Sequence, residues 1–293
     1  MSSEWIFEKV AGPFSFTEGP QWTGNNVLFT DLYNHRVLAY DPESTKVKLQ
    51  FQGTNQGNGL LYSRAGELLC CEMIGRQVSK LNSDGTKEVI ADRYQGKRLN
   101  SPNDIIEDSK GRIWFTDPRY GEIRDDMELN HESVYRFDPT SDNAQLERMT
   151  FDTTRPNGLL LSLDESTLYV AQSDYGEARN RELRAYPIMG NGTLGPYRVV
   201  HNFHPARGID GMTITDTGLL LATSGWDRNG PGPMINVLHE SGRVIEMHPV
   251  PTDMPTNICF GGTDLRDLYI TVGTGELFRV RNSGYQGVRM TDS

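Results

Sequence analysis

Six oxygen-bearing side chains recur along the chain at similar intervals: Glu18, Asn58, Asn103, Asn157, Asp210 and Asn257. The gaps between them are 40, 45, 54, 53 and 47 residues. Each is an acid or an amide that leads a short apolar or alternating run, and Gly or Pro adjoins five of the six. Carboxylate and amide oxygens, with almost no His or Cys among them, are hard donors that suit Ca²⁺, Mg²⁺ or Mn²⁺. Two of the six, Glu18 and Asp210, are carboxylates, which matches the charge of one divalent cation. Left unpaired at close range they repel, and one tends to hold a proton. The blander reading of the same pattern is turn formation, because Asn and Asp beside Gly satisfy local backbone N–H groups. The pattern alone leaves both readings open.

For residues as far apart as Glu18 and Asn257 to act together, the chain must return to one place six times. The second repeat is the clearest. Expected strands at 58–62, 67–72, 76–81 and 86–90 are separated by turns at 64–66 and 83–85, and Asp84-Gly85 between alternating strands is a strong hairpin signal. Sets of four short strands at a period of about 40–55 residues indicate a β-propeller. The expectation is an all-β fold, one six-bladed propeller of four-stranded blades over residues 1–293. The spare strand at 5–10 pairs with the last unit and closes the ring. The first strand of each blade then lines a central tunnel, with the six recurring residues in a ring at one mouth. Antiparallel pairing returns the ends of the second strands to the same face, so Asp31, Glu72, Asp117 and Asp174 are expected as a second shell. A short turn at 125–130 is the only helical feature expected.

The 293 residues carry 23% charged and 36% hydrophobic side chains, as an ordered globular chain does, and a formal net charge of -10. That charge argues against nucleic acid or an anionic membrane as partner. No run approaches a membrane span, and residues 1–8 lack the features of a signal peptide, so a cytoplasmic protein is expected. Cys70, Cys71 and Cys259 read as buried free thiols. His204 lies near Asp210 but reads as a loop histidine, and the other histidines have no ligand spacing. Trp22, Trp114 and Trp226 read as packing between blades.

Five phrases carry a resemblance. Glu18-Gly19-Pro20, the run Arg98 to Asp104, Phe115-Thr116-Asp117-Pro118, Arg155-Pro156-Asn157-Gly158 and Gly208-Ile209-Asp210-Gly211 resemble the gluconolactonase and regucalcin (senescence marker protein) lactonase family, its bacterial and fungal gluconolactonase branch above all. The similarity runs from Glu18 to about Val280. It implies a six-bladed propeller with one divalent metal in the tunnel, calcium first, with zinc, magnesium, manganese and iron also used among members. It places metal ligands on Glu18, Asn157 and Asp210, and a fourth ligand or substrate-contacting amide on Asn103. It implies hydrolysis of a small sugar lactone to its aldonic acid. The metal would polarise the carbonyl, Asn103 would help hold it, and Asp210 would act as base or as nucleophile. Arg119, Tyr120 and Glu122, with Asp174 and Tyr175, would read substrate hydroxyls.

There are departures. Regucalcin-type members have Arg where this chain has Ser101, and Arg98 and Arg119 are the candidate substitutes. Related phosphotriesterases carry a His near the sixth blade's second strand, where this chain has Thr271-Val272-Gly273-Thr274. The rival readings are a phosphotriesterase or other esterase on the same fold, and a non-catalytic calcium-binding propeller. The sequence does not speak to oligomeric state.

Overall fold

The computed structural model describes residues 4–120, 124–139, 145–175 and 180–288. Six four-stranded antiparallel sheets form the blades of a propeller. Their innermost strands are Thr17–Trp22, Gly57–Tyr62, Ile105–Glu107, Pro156–Leu161, Ile209–Ile214 and Pro255–Gly261. Each innermost strand packs against those of the blades on either side, which closes the ring. The sixth blade takes its outer strand from the amino terminus: Phe7–Ala11 pairs antiparallel with Leu277–Val280. The spare strand thus fastens the ring as expected, beginning two residues and ending one residue later than 5–10. The only helical turn among the described residues is Leu32–Asn34, and a two-stranded hairpin, Arg93–Tyr94 with Lys97–Arg98, is added after blade 2.

The core is divided by the same geometry. Inner-strand and second-strand side chains alternate between the two faces of their blade, so each pair of neighbouring blades has its own apolar cluster. Trp114 is fully buried between blades 3 and 4, and Trp22 stacks on Tyr269 between blades 6 and 1. Cys70, Cys71 and Cys259 are buried free thiols. Hydroxyls stitch each blade to the next. Thr30 donates to the Asn58 carbonyl at 3.1 Å, Thr223 to that of Thr256 at 2.8 Å, and Thr256 to that of Thr17 at 2.8 Å. No described helix is long and apolar enough to cross a membrane.

Candidate metal and substrate site

The recurring residues share one backbone device. In five innermost strands the register with the second strand slips at the recurring residue: between Glu18 and Gln21, Gly57 and Leu60, Pro156 and Leu159, Ile209 and Met212, Pro255 and Asn257. A bulge leaves one residue out of the ladder and re-aims its side chain. In blade 3 the strand starts only at Ile105, and Asn103 and Asp104 precede it, held by bonds between the Asn103 and Asp104 N–H groups and Thr116. The glycines that follow these residues let adjacent strands touch. A Cβ on Gly19 would lie 2.5 Å from the Asn58 carbonyl oxygen, and one on Gly59 would lie 2.6 Å from that of Asn103. Glycine is therefore required by the closeness of the inner ring.

The structure brings Glu18 and Asp210, both buried, and half-buried Asp104 into one electrostatic group. Burial raises the Glu18 carboxyl well above the usual range; Asp210 and Asp104 raise it further, while the Gly19 N–H at 2.8 Å and Arg207 work against them. Burial also raises Asp210, against an ion pair with Arg207 and a hydrogen bond donated by the Asn157 amide. Asp104 is pushed up to about 7 by burial, although it accepts bonds from the Ile105 and Leu159 N–H groups and the Asn257 amide. Arg207 is itself buried. It donates to the Pro255 carbonyl at 3.0 Å and to the Gly225 carbonyl at 3.3 Å, and it bonds the Tyr175 hydroxyl.

Asp104 and Arg207 have no role in the sequence reading above. Asp104 stands where Gly19, Gly59, Gly158 and Gly211 follow the recurring residue in other repeats, and an acid in that place was a visible signal. Arg207 opens the phrase that ends in Asp210, but nothing in the spacing says that its side chain turns back onto that carboxylate.

The donor set fits a hard cation. Burial, with mutual repulsion added at Glu18 and Asp104, disfavours the charged form of these carboxyls, and a positive ion between them would favour it. Asn103 is buried, yet its side-chain amide bonds to no described residue. No group of three or more His, Cys, Asp or Glu among the described residues is arranged to hold a metal. A cation here therefore needs the amide oxygens of Asn103 and Asn157 beside Glu18 and Asp210. The inner strands also line a cavity of about 550 Å³ whose apolar wall, Leu60, Leu159 and Ile258 among it, is interrupted by polar groups including Arg64, Asp104 and Asn257.

The expected second shell does not form as such. Asp31 accepts bonds from Ser15, Asn34 and Arg36. Glu72 is bound by Gln77 and Lys87, and Asp117 takes the Asn100 and Ser101 N–H groups at 2.8 and 2.7 Å. These carboxylates brace loops: Asp117 fixes the segment that leads to Asn103. Local donors are nearer than the tunnel axis and win them. Arg119 is engaged by Asp126, two contacts of 2.8 Å, and Arg98 by Glu128 at 2.8 Å, so both candidate substitutes for the arginine absent at Ser101 are committed elsewhere. Glu122 lies outside the described residues. Tyr120 reaches the Arg155 carbonyl at 3.3 Å, and its ring begins a row with Tyr175 at 6.4 Å and then Trp226 at a further 5.5 Å. Trp226 thus joins the mouth rather than packing between blades. His204 is exposed in its loop.

Residues 16–274 match the model of the SMP-30/Gluconolactonase/LRE-like region. A gluconolactonase of Zymomonas mobilis is 28% identical over 87% of this chain and 75% of its own length. Regucalcin of Xenopus laevis is 28% identical over 99% of both chains. The solved structure of XC5397, a gluconolactonase of Xanthomonas campestris, superposes with a TM-score of 0.83 at 31% identity, over 94% of this chain and 89% of that one.

Proposed function

Because the chain belongs to the SMP-30/gluconolactonase/LRE-like family, we propose that it is a lactonase that opens a small sugar lactone to the aldonic acid at the ringed mouth of its tunnel. The observation that carries this reading is the meeting of Glu18, Asp104 and Asp210, with the Asn157 amide bonded to Asp210 and the Asn257 amide to Asp104. Such a set has little use as packing, since buried like charges cost stability unless something binds them.

Glu18, Asn103, Asn157 and Asp210 would hold one divalent cation of the oxygen-seeking kind, calcium first because a solved structure of the same fold is that of a calcium-binding protein, regucalcin. When bound, that ion supplies Lewis acidity at the lactone carbonyl and charge for the oxyanion. Asp210 takes the proton from the water that attacks the carbonyl carbon; the C–O bond to the ring oxygen then breaks, and the proton passes to the leaving alkoxide. Arg207 orients the Asp210 carboxylate through their ion pair. The Asn103 amide directs an N–H toward substrate oxygen, or its oxygen toward the cation. Tyr120 and Tyr175 offer hydroxyls and ring faces to the sugar. The substrate is a small molecule, and the buried free thiols suit a cytoplasmic setting.

The test is hydrolysis of glucono-1,5-lactone by metal-stripped protein re-supplied with single cations and followed by proton release. Turnover should vanish on stripping and return with calcium or another oxygen-seeking ion. Full activity after stripping, or metal binding with no turnover of any lactone, would sink the reading.

A further inference from the structure

We propose that the mouth selects lactones bearing a second, negatively charged group on the carbon farthest from the carbonyl, and that Arg155 binds that group. The inference rests on the lactonase reading and names its substrate class.

The chain carries a net charge of -10, yet three guanidinium groups lie on the aromatic row at this mouth: Arg155 over Tyr120 at 6.0 Å, Arg181 over Tyr175 at 5.7 Å and Arg228 over Trp226 at 5.1 Å. None of the three has a carboxylate partner among the described residues. Arg181 is buried and spends its nitrogens on backbone carbonyls, those of Asp174, Tyr175, Pro205 and Ala206. Among the described residues, the guanidinium groups of Arg155 and Arg228 have only their ring contacts. Other arginines of the same rim are paired: Arg76 and Arg119 with Asp126, Arg98 with Glu128, Arg124 with Glu132. In an acidic chain, cations left unmatched beside a binding site mark where an anion is to arrive.

The ring below does not use this charge. Glu18, Asp104 and Asp210 face Arg207 and would be balanced by one divalent cation, so the three outer arginines are not called on by any carboxylate among the described residues. Arg155 is the one placed to touch substrate. Arg181 has its donors taken, and Arg228 is exposed at the far end of the row. Arg155 is half-buried and precedes Asn157 by two residues, as Ser101 precedes Asn103 in the blade before. Its backbone is held left-handed, φ 49°, while its carbonyl takes bonds from the Tyr120 hydroxyl and from the Ser173 N–H at 3.2 Å. A non-glycine residue in that conformation is uncommon and costs energy that the surroundings must cover. The backbone is thereby held beside Asn157 with the guanidinium over the Tyr120 ring, and the proposal sets the remote end of a short lactone against that group. Carboxylate, sulfonate and phosphate all accept the paired N–H bonds it offers.

The experiment compares kcat/KM for glucono-1,5-lactone with that for its 6-carboxylate, 6-sulfonate and 6-phosphate counterparts, in wild type, Arg155→Gln and Arg155→Lys. In the wild type at least one anionic lactone should be preferred about tenfold or more, the worth of one charge-assisted hydrogen bond. The preference should fall as salt is raised, and the three arms say which anion is read. Arg155→Gln should cut the anionic-to-neutral ratio about tenfold, and Arg155→Lys should retain part of it. Calorimetry on metal-free protein adds a binding readout: 6-phosphogluconate should bind more tightly than gluconate in wild type and lose that margin in Arg155→Gln. No preference among the four lactones, or an Arg155→Gln defect equal for neutral and charged substrates, overturns the inference. If no lactone is hydrolysed it is the lactonase reading that fails, and the calorimetric margin still decides this one.

Discussion

Asp210→Asn is the substitution that separates base from ligand. Asparagine keeps the size and one oxygen of the side chain, so it can still accept from Arg207 and still face a cation. What it cannot do is take a proton. Loss of a positioned general base costs about 10²–10⁴ in rate, and kcat/KM for the preferred lactone should fall by at least about 10³ once weaker cation binding is added. The effect on folding is smaller. Stranding one member of a buried ion pair typically costs about 3–5 kcal/mol. Here Arg207 keeps its bonds to the Pro255 and Gly225 carbonyls, and the change also removes the repulsion that Asp210 exerts on Glu18 and Asp104. The net cost should be about 1–2 kcal/mol, or about 2–8 °C in melting temperature for a chain of this size. Initial rates across a calcium series, read beside thermal melts, measure both. Near-normal turnover at saturating calcium would refute the assignment. So would a loss that extra calcium restores completely, because then Asp210 serves the cation alone.

Three further outcomes follow from the same structure. Calcium at one hundred times its Kd should stabilise the stripped protein by about 2.7 kcal/mol, a melting shift of about 5–10 °C that a chelator reverses; no shift with any divalent cation would remove the metal from the account. Gly59→Ala should be severely destabilising, because its Cβ would meet two backbone atoms of the next blade, the Asn103 oxygen at 2.6 Å and the Asp104 Cα at 2.8 Å. A loss of about 3 kcal/mol, the upper end for overpacked cores, is expected, and a variant with unchanged melting would show that the inner ring is looser than described. His131 is pushed down to about 4 by burial, with Arg148 and Lys97 adding to the effect. Below about 6.5 the unfolded chain takes up a proton that the folded ring refuses until about 4, so stability should fall as pH drops through that window. Denaturant melts of wild type and His131→Gln should converge above pH 7 in slope with pH and diverge below; parallel curves throughout would contradict the shift.

Much of the fold was legible because propeller repeats are local in sequence. Turn chemistry and strand alternation lie within 40–55 residues of one another, and an unpartnered strand at the amino terminus is itself a sign of circular closure. The recurring acids and amides were legible for the same reason. What the side chains then bond to was not. Asp31, Glu72 and Asp117 occupy equivalent places at the ends of second strands, and from sequence they look like a second shell. In space each meets nearer donors on neighbouring strands and loops, and the energy of satisfying a buried carboxylate locally outweighs any pull from the tunnel axis. Arg98 and Arg119 were likewise captured by Glu128 and Asp126, which sit in neighbouring loops whose proximity no spacing reveals.

By itself the sequence determined the number of blades, the strand that closes them and the places where an oxygen-bearing side chain recurs, since hydrophobic alternation and turn residues act over a few positions. Only the tertiary structure decided that the register slips at those places, that Asp104 joins Glu18 and Asp210 within one electrostatic group, and that Arg207 answers them. Those outcomes depend on which atoms of different blades come within hydrogen-bond and Coulomb range, and such closeness is a property of the closed ring.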